Sequence, residues 1–211
     1  MLISFEGLDG CGKTTQIDML RARLDERQID HLIVREPGGT EVSERIRSLL
    51  LEPCLTIDPF AELLLFSAAR AQLVATTIKP ALDRGSVVIC DRFFDSSTAY
   101  QGYGRELADP EWIESLHERA TGGLKPVRTY YLSVPLSEIH RRKAHDTPDR
   151  MEAADDEFRQ RVIHAYETLS SAHPARFRVL DGMQPAEALA SEIEKDLVDL
   201  GLSHMEPGNQ G

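Results

Sequence analysis

Gly7-Leu8-Asp9-Gly10-Cys11-Gly12-Lys13-Thr14 fits G-x-x-x-x-G-K-[ST] in full, and the chemistry of that pattern is phosphate binding. Glycines let backbone N–H groups curl around phosphate oxygens, and the helix that must follow adds partial positive charge at its N-terminus. Lys13 has the reach for β- and γ-phosphates, and the Thr14 hydroxyl can ligate magnesium. A chance match would lack the strand before and the helix after that this loop has. Asp91 closes the apolar run Val87-Val88-Ile89-Cys90, where a second carboxylate would hold magnesium directly or through water. Alone, a strand-terminal Asp is more often a turn former, so that reading leans on the loop.

A phosphoryl acceptor needs cations of its own. Arg47, Arg70 and Arg92 each fall near a predicted strand end or on an adjoining helix, though the plainer reading of each is a solvated charge. Phe66 and Arg70 stand four apart on one helix face, where a ring can stack on a base and a guanidinium can bond its edge. The alternative for Phe66 is ordinary core. The run from Asp91 to Arg105 is dense with polar groups directly after a central strand. Arg92 could pair there with an acceptor phosphate, and Ser97 and Gln101, four apart, can face one ligand together.

The most basic stretch runs from His140 to Arg150, and Thr147-Pro148-Asp149 breaks its helix, which reads as a mobile lid over about 138–153. Charge runs are usually solvated faces. A phosphoryl-transfer site alters that reading, because charge developing in the transition state needs cations in a dry pocket, and a closing lid delivers both.

The elements that must position these groups alternate. Strands are predicted at Leu2–Glu6, His31–Arg35, Val87–Cys90, Thr129–Val134 and Arg178–Asp181. Helices are predicted at Lys13–Gln28, Glu41–Leu51, Pro59–Leu82, Asp95–Gln101, Pro110–Ala120, Ser137–Ala144, Asp155–His173 and Pro185–Leu200. This alternation implies an α/β fold, a five-stranded parallel sheet wrapped on both faces in a three-layer sandwich, with ligands beyond the carboxyl ends of the strands. One domain over 1–202 and a disordered tail at 203–211 are expected.

Composition narrows the partners. The 211 residues suffice for one sizeable core, and a net charge of −11 argues against a nucleic-acid binder. It also requires the few cations to be gathered locally. Cys11, Cys54 and Cys90 are widely spaced, which reads as reduced thiols in a cytoplasmic protein rather than disulfides or a zinc site. No signal peptide is read at the N-terminus, and no apolar run is read as approaching a membrane span.

The chain resembles the thymidylate kinase family. The resemblance rests on the phosphate loop with Thr15, on Arg35-Glu36-Pro37-Gly38-Gly39-Thr40, on Leu65-Phe66-Ser67-Ala68-Ala69-Arg70, and on the Asp91–Arg105 run. Asp149-Arg150-Met151-Glu152 and Val179-Leu180-Asp181-Gly182 complete it, in order from Leu2 to about Leu197. It implies a P-loop fold of the nucleoside monophosphate kinase kind, phosphorylation of dTMP to dTDP by ATP with magnesium, and a homodimer joined through helices. ATP would lie on Gly7 to Thr15, with Lys13 catalytic and Thr14 and Asp91 toward the metal. For dTMP, Asp9 would bond the 3′-OH, Phe66 would stack on thymine, and Arg70, Ser97 and Gln101 would read its edge. Arg92 would hold the phosphate with Arg47 assisting, Tyr100 would crowd the 2′ position, and Glu36 would complete the pocket. The loop has no arginine, which resembles the bacterial subtype whose lid supplies them. Arg141 and Arg150 are the lid candidates, joining Lys13 and Arg92 in the expected catalytic set, with Arg142 and Lys143 as supports. Lys143, His145, Ala69 and Met151 depart from the usual family residues at their positions.

Two other readings stand beside this one. Another nucleoside monophosphate or deoxynucleoside kinase would share the fold, but the latter usually shows Glu-Arg-Ser where this chain has Asp91-Arg92-Phe93. A nucleotide-binding switch would need a water-positioning residue and switch loops, and the sequence has no Asn-Lys-x-Asp guanine motif.

Overall fold

The computed structural model describes residues 1–107, 109–144, 150–151 and 154–202. The expected tail at 203–211 and the lid positions 145–149 and 152–153 lie outside the described residues.

The strands are β1 (Leu2–Glu6), β2 (His31–Arg35), β3 (Val87–Asp91), β4 (Arg128–Ser133) and β5 (Phe177–Asp181). They form one all-parallel sheet in the order β2-β3-β1-β4-β5. Every residue of β1 is buried, as a central strand covered on both faces requires. Phe5 pairs in register with Asp91 on one side and Tyr130 on the other, which brings three strand ends level. The chain leaves β3 on one side of β1 and re-enters at β4 on the other. That reversal opens a crevice at the carboxyl end of β1.

The helices are α1 (Lys13–Glu26), α2 (Glu41–Leu51), α3 (Pro59–Leu73), α4 (Lys79–Asp83), α5 (Phe94–Ser97), α6 (Pro110–Thr121), α7 (Leu136–Arg142), α8 (Asp156–Ala172) and α9 (Ala186–Asp199). Alternate strand residues feed opposite layers. Ile3, Phe5, Val87 and Ile89 join the apolar cluster that also holds Leu20, Tyr166 and Ile193. Leu2, Val88 and Cys90 join the one that holds Leu73 and Ile78. Side-chain caps start several helices. Asp58 accepts from Phe60 N at 2.9 Å, Thr40 from Ser43 N at 3.0 Å, and Asp155 from Phe158 N at 2.8 Å.

Two wide π-helical turns depart from the expected pattern. One, Val74–Ile78, joins α3 to α4 just ahead of Pro80, which has no N–H to offer Thr76 and would crowd its carbonyl. The other, Thr98–Gly104, extends α5 where one short helix is predicted. The continuous helix Pro59–Asp83 also corrects the sequence reading of apolar runs. At 25 residues, with mean hydropathy 1.2 over 18 of them, it is long and apolar enough to cross a membrane by those measures. In this fold it is a core helix: Leu63, Leu73 and Ile78 are fully buried, and Glu62 and Arg70 are buried in ion pairs with other elements.

Candidate active site

The loop between β1 and α1 has Gly7, Gly10 and Gly12 at φ of 134°, 85° and 106°, conformations that favour glycine. Gly7 must also be bare, since a Cβ there would lie 2.8 Å from the Leu132 carbonyl oxygen and 2.9 Å from Cys11 Sγ. Lys13 Nζ folds back and donates to the Gly7 and Leu8 carbonyls, both at 3.1 Å. Its ammonium is thus held at the loop mouth by the loop itself. Thr14 and Thr15 are exposed on the first turn of α1, where helix N–H groups lack partners.

Two cavities meet at the carboxyl edge of the sheet. One, of about 340 Å³, is lined by Asp9, Gly10, Gly12, Lys13, Thr14, Thr15 and Asp91, with Arg35 beyond them. Gly7, Leu8 and Cys11 do not line it; Leu8 and Cys11 pack into the core behind the loop. The other, narrower, is lined by Phe66, Arg70, Ser97, Tyr100 and Gln101, and also by Leu51, Phe93 and Met151. Asp9, Glu36, Arg47 and Arg92 line both. The structure therefore brings every residue expected around the acceptor into one cavity.

Arg92 sits at that shared wall with φ of 70°, a strained backbone for a non-glycine residue. Its Nη2 donates to Asp9 Oδ1 at 2.8 Å and to Tyr100 Oη at 3.1 Å, its Nη1 donates to Ser96 Oγ at 3.1 Å, and its guanidinium lies 4.9 Å from the Tyr100 ring centre. Burial would raise the Asp9 carboxyl, but the Arg92 and Lys13 charges outweigh it and hold it well below the usual range. Arg47 donates to the Pro37 carbonyl at 3.0 Å. Deeper in, Arg70 Nε donates to Glu36 Oε2 at 2.7 Å and Nη2 to Ser97 Oγ at 2.9 Å. Arg70 Nη1 and Glu36 Oε1 are buried there without a protein partner. Both are groups a ligand can satisfy.

Magnesium fits the residues of the first cavity. Asp91 Oδ1 is buried without a hydrogen-bond partner, beside the Thr14 hydroxyl's cavity wall. Among the described residues no cluster of three Asp, Glu, His or Cys side chains exists. Magnesium takes one or two protein oxygens and completes its shell with water and phosphate, and Asp91 and Thr14 are oxygens this cavity offers.

The two lid candidates are placed away from the phosphate loop. Arg141 is exposed and donates to Glu138 at 2.7 and 2.8 Å. Arg150 Nη2 lies 2.6 Å from Glu62 Oε2, and its Nε donates to the Leu50 carbonyl at 2.7 Å. Arg142, expected only as a support, instead donates to the carbonyls of Gly10 at 3.3 Å, Cys11 at 3.2 Å and Gly182 at 2.9 Å.

Sequence reasoning missed the buried carboxylates behind the site. Glu6 accepts from Phe93 N at 2.8 Å, Ser96 Oγ at 2.5 Å and Tyr166 Oη at 2.9 Å. Through Ser96 it braces the Arg92 guanidinium. Burial, with the Asp95 charge, pushes its carboxyl up to about 7. The available signal was a Glu at the end of an otherwise apolar strand.

A glycine-rich anion cradle at the switch point of a five-stranded parallel sheet, facing a second cation-lined cavity, defines a P-loop kinase of the nucleoside monophosphate kinase fold. The chain belongs to the thymidylate kinase family, whose family model matches residues 5–193. It is 50% identical over 204 residues to a thymidylate kinase of Bifidobacterium longum, covering 95% of this chain and 98% of that one. A thymidylate kinase of Chlorobium chlorochromatii is 45% identical, with 98% of both chains covered. The crystal structure of thymidylate kinase from Ehrlichia chaffeensis superposes with a TM-score of 0.74 at 32% identity, covering 94% of this chain and 98% of that one.

Proposed function

We propose that this protein transfers the γ-phosphoryl group of ATP to dTMP, giving dTDP. ATP occupies the phosphate-loop cavity, and dTMP occupies the cavity of Phe66 and Arg70. The observation that carries this reading is the shared wall. Asp9, Glu36, Arg47 and Arg92 line both cavities, so two phosphate-bearing ligands meet end to end over the same cations.

A phosphate monoester has its second pKa near ~6, so the attacking oxygen of dTMP is largely ionised at neutral pH and needs no strong base. The task is to bring two anions into line. Lys13 leaves the loop carbonyls for the donor phosphates, while Arg92, fixed by Asp9 and Ser96, takes the acceptor phosphate. Magnesium bound at Asp91 and Thr14 would supply further neutralisation of phosphate charge. Phe66 stacks on thymine, Arg70, Ser97 and Gln101 read its edge, and Tyr100 crowds the 2′ position. Arg142 and Lys143 close over the loop with Arg141 and Arg150 as further lid cations. The protein works as a single domain over 1–202, in the cytoplasm with its nucleotide substrates, and as a homodimer.

A coupled assay with ATP, magnesium and dTMP tests the proposal, and rapid dTDP formation is expected. Turnover with another monophosphate or a nucleoside but not dTMP would move the acceptor assignment. Slow ATP hydrolysis indifferent to any acceptor would make the protein a switch rather than a kinase.

A further inference from the structure

Glu62 lies one turn before Phe66 on α3, and it is completely buried. Three side chains converge on it. Gln101 Nε2 donates to its Oε1 at 2.9 Å. Arg105 donates from Nε to Oε1 at 3.3 Å and from Nη2 to Oε2 at 3.4 Å, and Arg150 Nη2 lies 2.6 Å from Oε2. The two guanidiniums offset the buried negative charge. Of the three partners, only Gln101 lines the acceptor cavity.

We infer that Glu62 is a positioning residue that sets base specificity, by fixing the Gln101 amide so that the cavity accepts a pyrimidine with a 4-oxo group and an N3–H. The inference rests on the reading of that cavity as the acceptor-base site.

A carboxylate only accepts hydrogen bonds, so the Gln101 NH2 must face it. Flipping the amide would set Oε1 against the Glu62 carboxylate in a buried site, acceptor facing acceptor, and lose the bond Gln101 makes to Oε1. Gln101 therefore offers the cavity its carbonyl oxygen. Arg70 offers the complement, since Nε and Nη2 are taken by Glu36 and Ser97 while Nη1 is buried and unpartnered. An acceptor and a donor on one cavity wall match N3–H and C4=O of thymine. Cytosine presents a lone pair at N3 and an amino group at C4, which inverts both. A free Gln101 could flip to meet half of that inverted pattern. Glu62 removes the option, so cytosine is rejected because neither its N3 nor its amino group finds a partner.

Three single variants and one double variant test this, each assayed for kcat/KM with dTMP and with dCMP. Glu62→Gln keeps the shape but can either donate to or accept from Gln101. Glu62→Asp keeps the charge for Arg105 and Arg150 but withdraws it from Gln101 by one methylene. Gln101→Met removes the amide. The dTMP-over-dCMP preference is expected to fall about tenfold or more in Glu62→Gln, by a smaller factor in Glu62→Asp, and no further when Glu62→Gln is added to Gln101→Met. Most of the loss should appear in KM for the acceptor. If Glu62→Gln does not fold, the Glu62→Asp ratio decides. Variants that lose thermal stability or kcat with the wild-type preference intact would overturn the inference and leave a purely structural role. A wild-type enzyme that phosphorylates neither nucleotide would instead sink the acceptor reading on which it rests.

Discussion

Lys13 Nζ donates to two carbonyls of its own loop, and phosphate oxygens are stronger acceptors for an ammonium than either. Its charge is worth most when the phosphoryl group is in flight. Lys13→Ala is therefore expected to lower kcat by about 10²–10³ with a smaller change in KM for dTMP, measured in the coupled assay. Phe66, proposed to stack on thymine, should have the opposite profile, because a stacked ring binds ground and transition states alike. Phe66→Ala is expected to raise KM for dTMP about tenfold and leave kcat within about threefold. Glu6 carries the pH dependence. Its carboxyl sits at about 7 in the fold against 4.5 in the open chain, through burial first and the Asp95 charge second. The folded state thus binds the proton more tightly, so the stability this provides is full below about pH 4.5 and is lost as pH rises toward 7. Denaturant melts should show the wild type losing ground to Glu6→Gln between those values, by up to a few kcal/mol. Equal slopes for the two proteins would exclude Glu6 as the titrating group. The motif residues were legible in the sequence because their types and spacing are dictated by phosphate itself. Glu6 and Glu62 were not, because a carboxylate inside an apolar stretch gives no hint of which distant donors, Tyr166 or Arg105, will satisfy it.

At the scale of elements, the strands and long helices could be read because burial imposes its period on them. Both wide turns escaped. The one before Pro80 follows from a missing N–H in mid-helix, and the one at Thr98–Gly104 from packing against α8. Arg141 and Arg142 show the same limit. As neighbours on α7 they point about 100° apart, and only the packed fold tells which one faces the Gly10 and Cys11 carbonyls. The second wide turn also makes a testable joint. A Cβ on Gly104 would come within 2.6 Å of the Phe158 ring and 3.1 Å of Val162. Gly104→Ala is expected to cost about 1–3 kcal/mol and lower Tm by several degrees. Phe158 also packs edge-on against Tyr100 at 6.0 Å and under Arg105 at 4.7 Å, so the strain should reach the acceptor cavity. KM for dTMP should rise more than KM for ATP; equal changes would show that the turn is scaffold alone.

For the whole molecule, the proposed homodimer would cover the part of Pro59–Asp83 that the fold leaves exposed. That helix leaves Phe60 46% and Leu64 42% exposed, one turn apart. Trp112 on α6 lies 5.3 Å from the Phe60 ring, and Val42 and Leu49 are half-exposed on α2, which packs against α3. Apolar side chains gathered on one set of packed helices are a common mark of an interface. Each protomer carries a net charge of −11, so association through this face must overcome repulsion between like-charged bodies. Sedimentation should therefore show a dimer that tightens as salt rises from about 20 to 200 mM, because screening weakens the repulsion more than it weakens apolar burial. Leu64→Glu places a charge on the exposed apolar side of α3, one turn from Phe60, and should give a folded monomer, at a cost to association of several kcal/mol. The acceptor cavity is lined from the same helix by Phe66 and Arg70, two and six residues on. The monomeric variant should therefore lose more affinity for dTMP than for ATP, because no residue of α3 lines the phosphate-loop cavity. A Leu64→Glu protein that still sediments as a dimer would place the interface elsewhere on the surface.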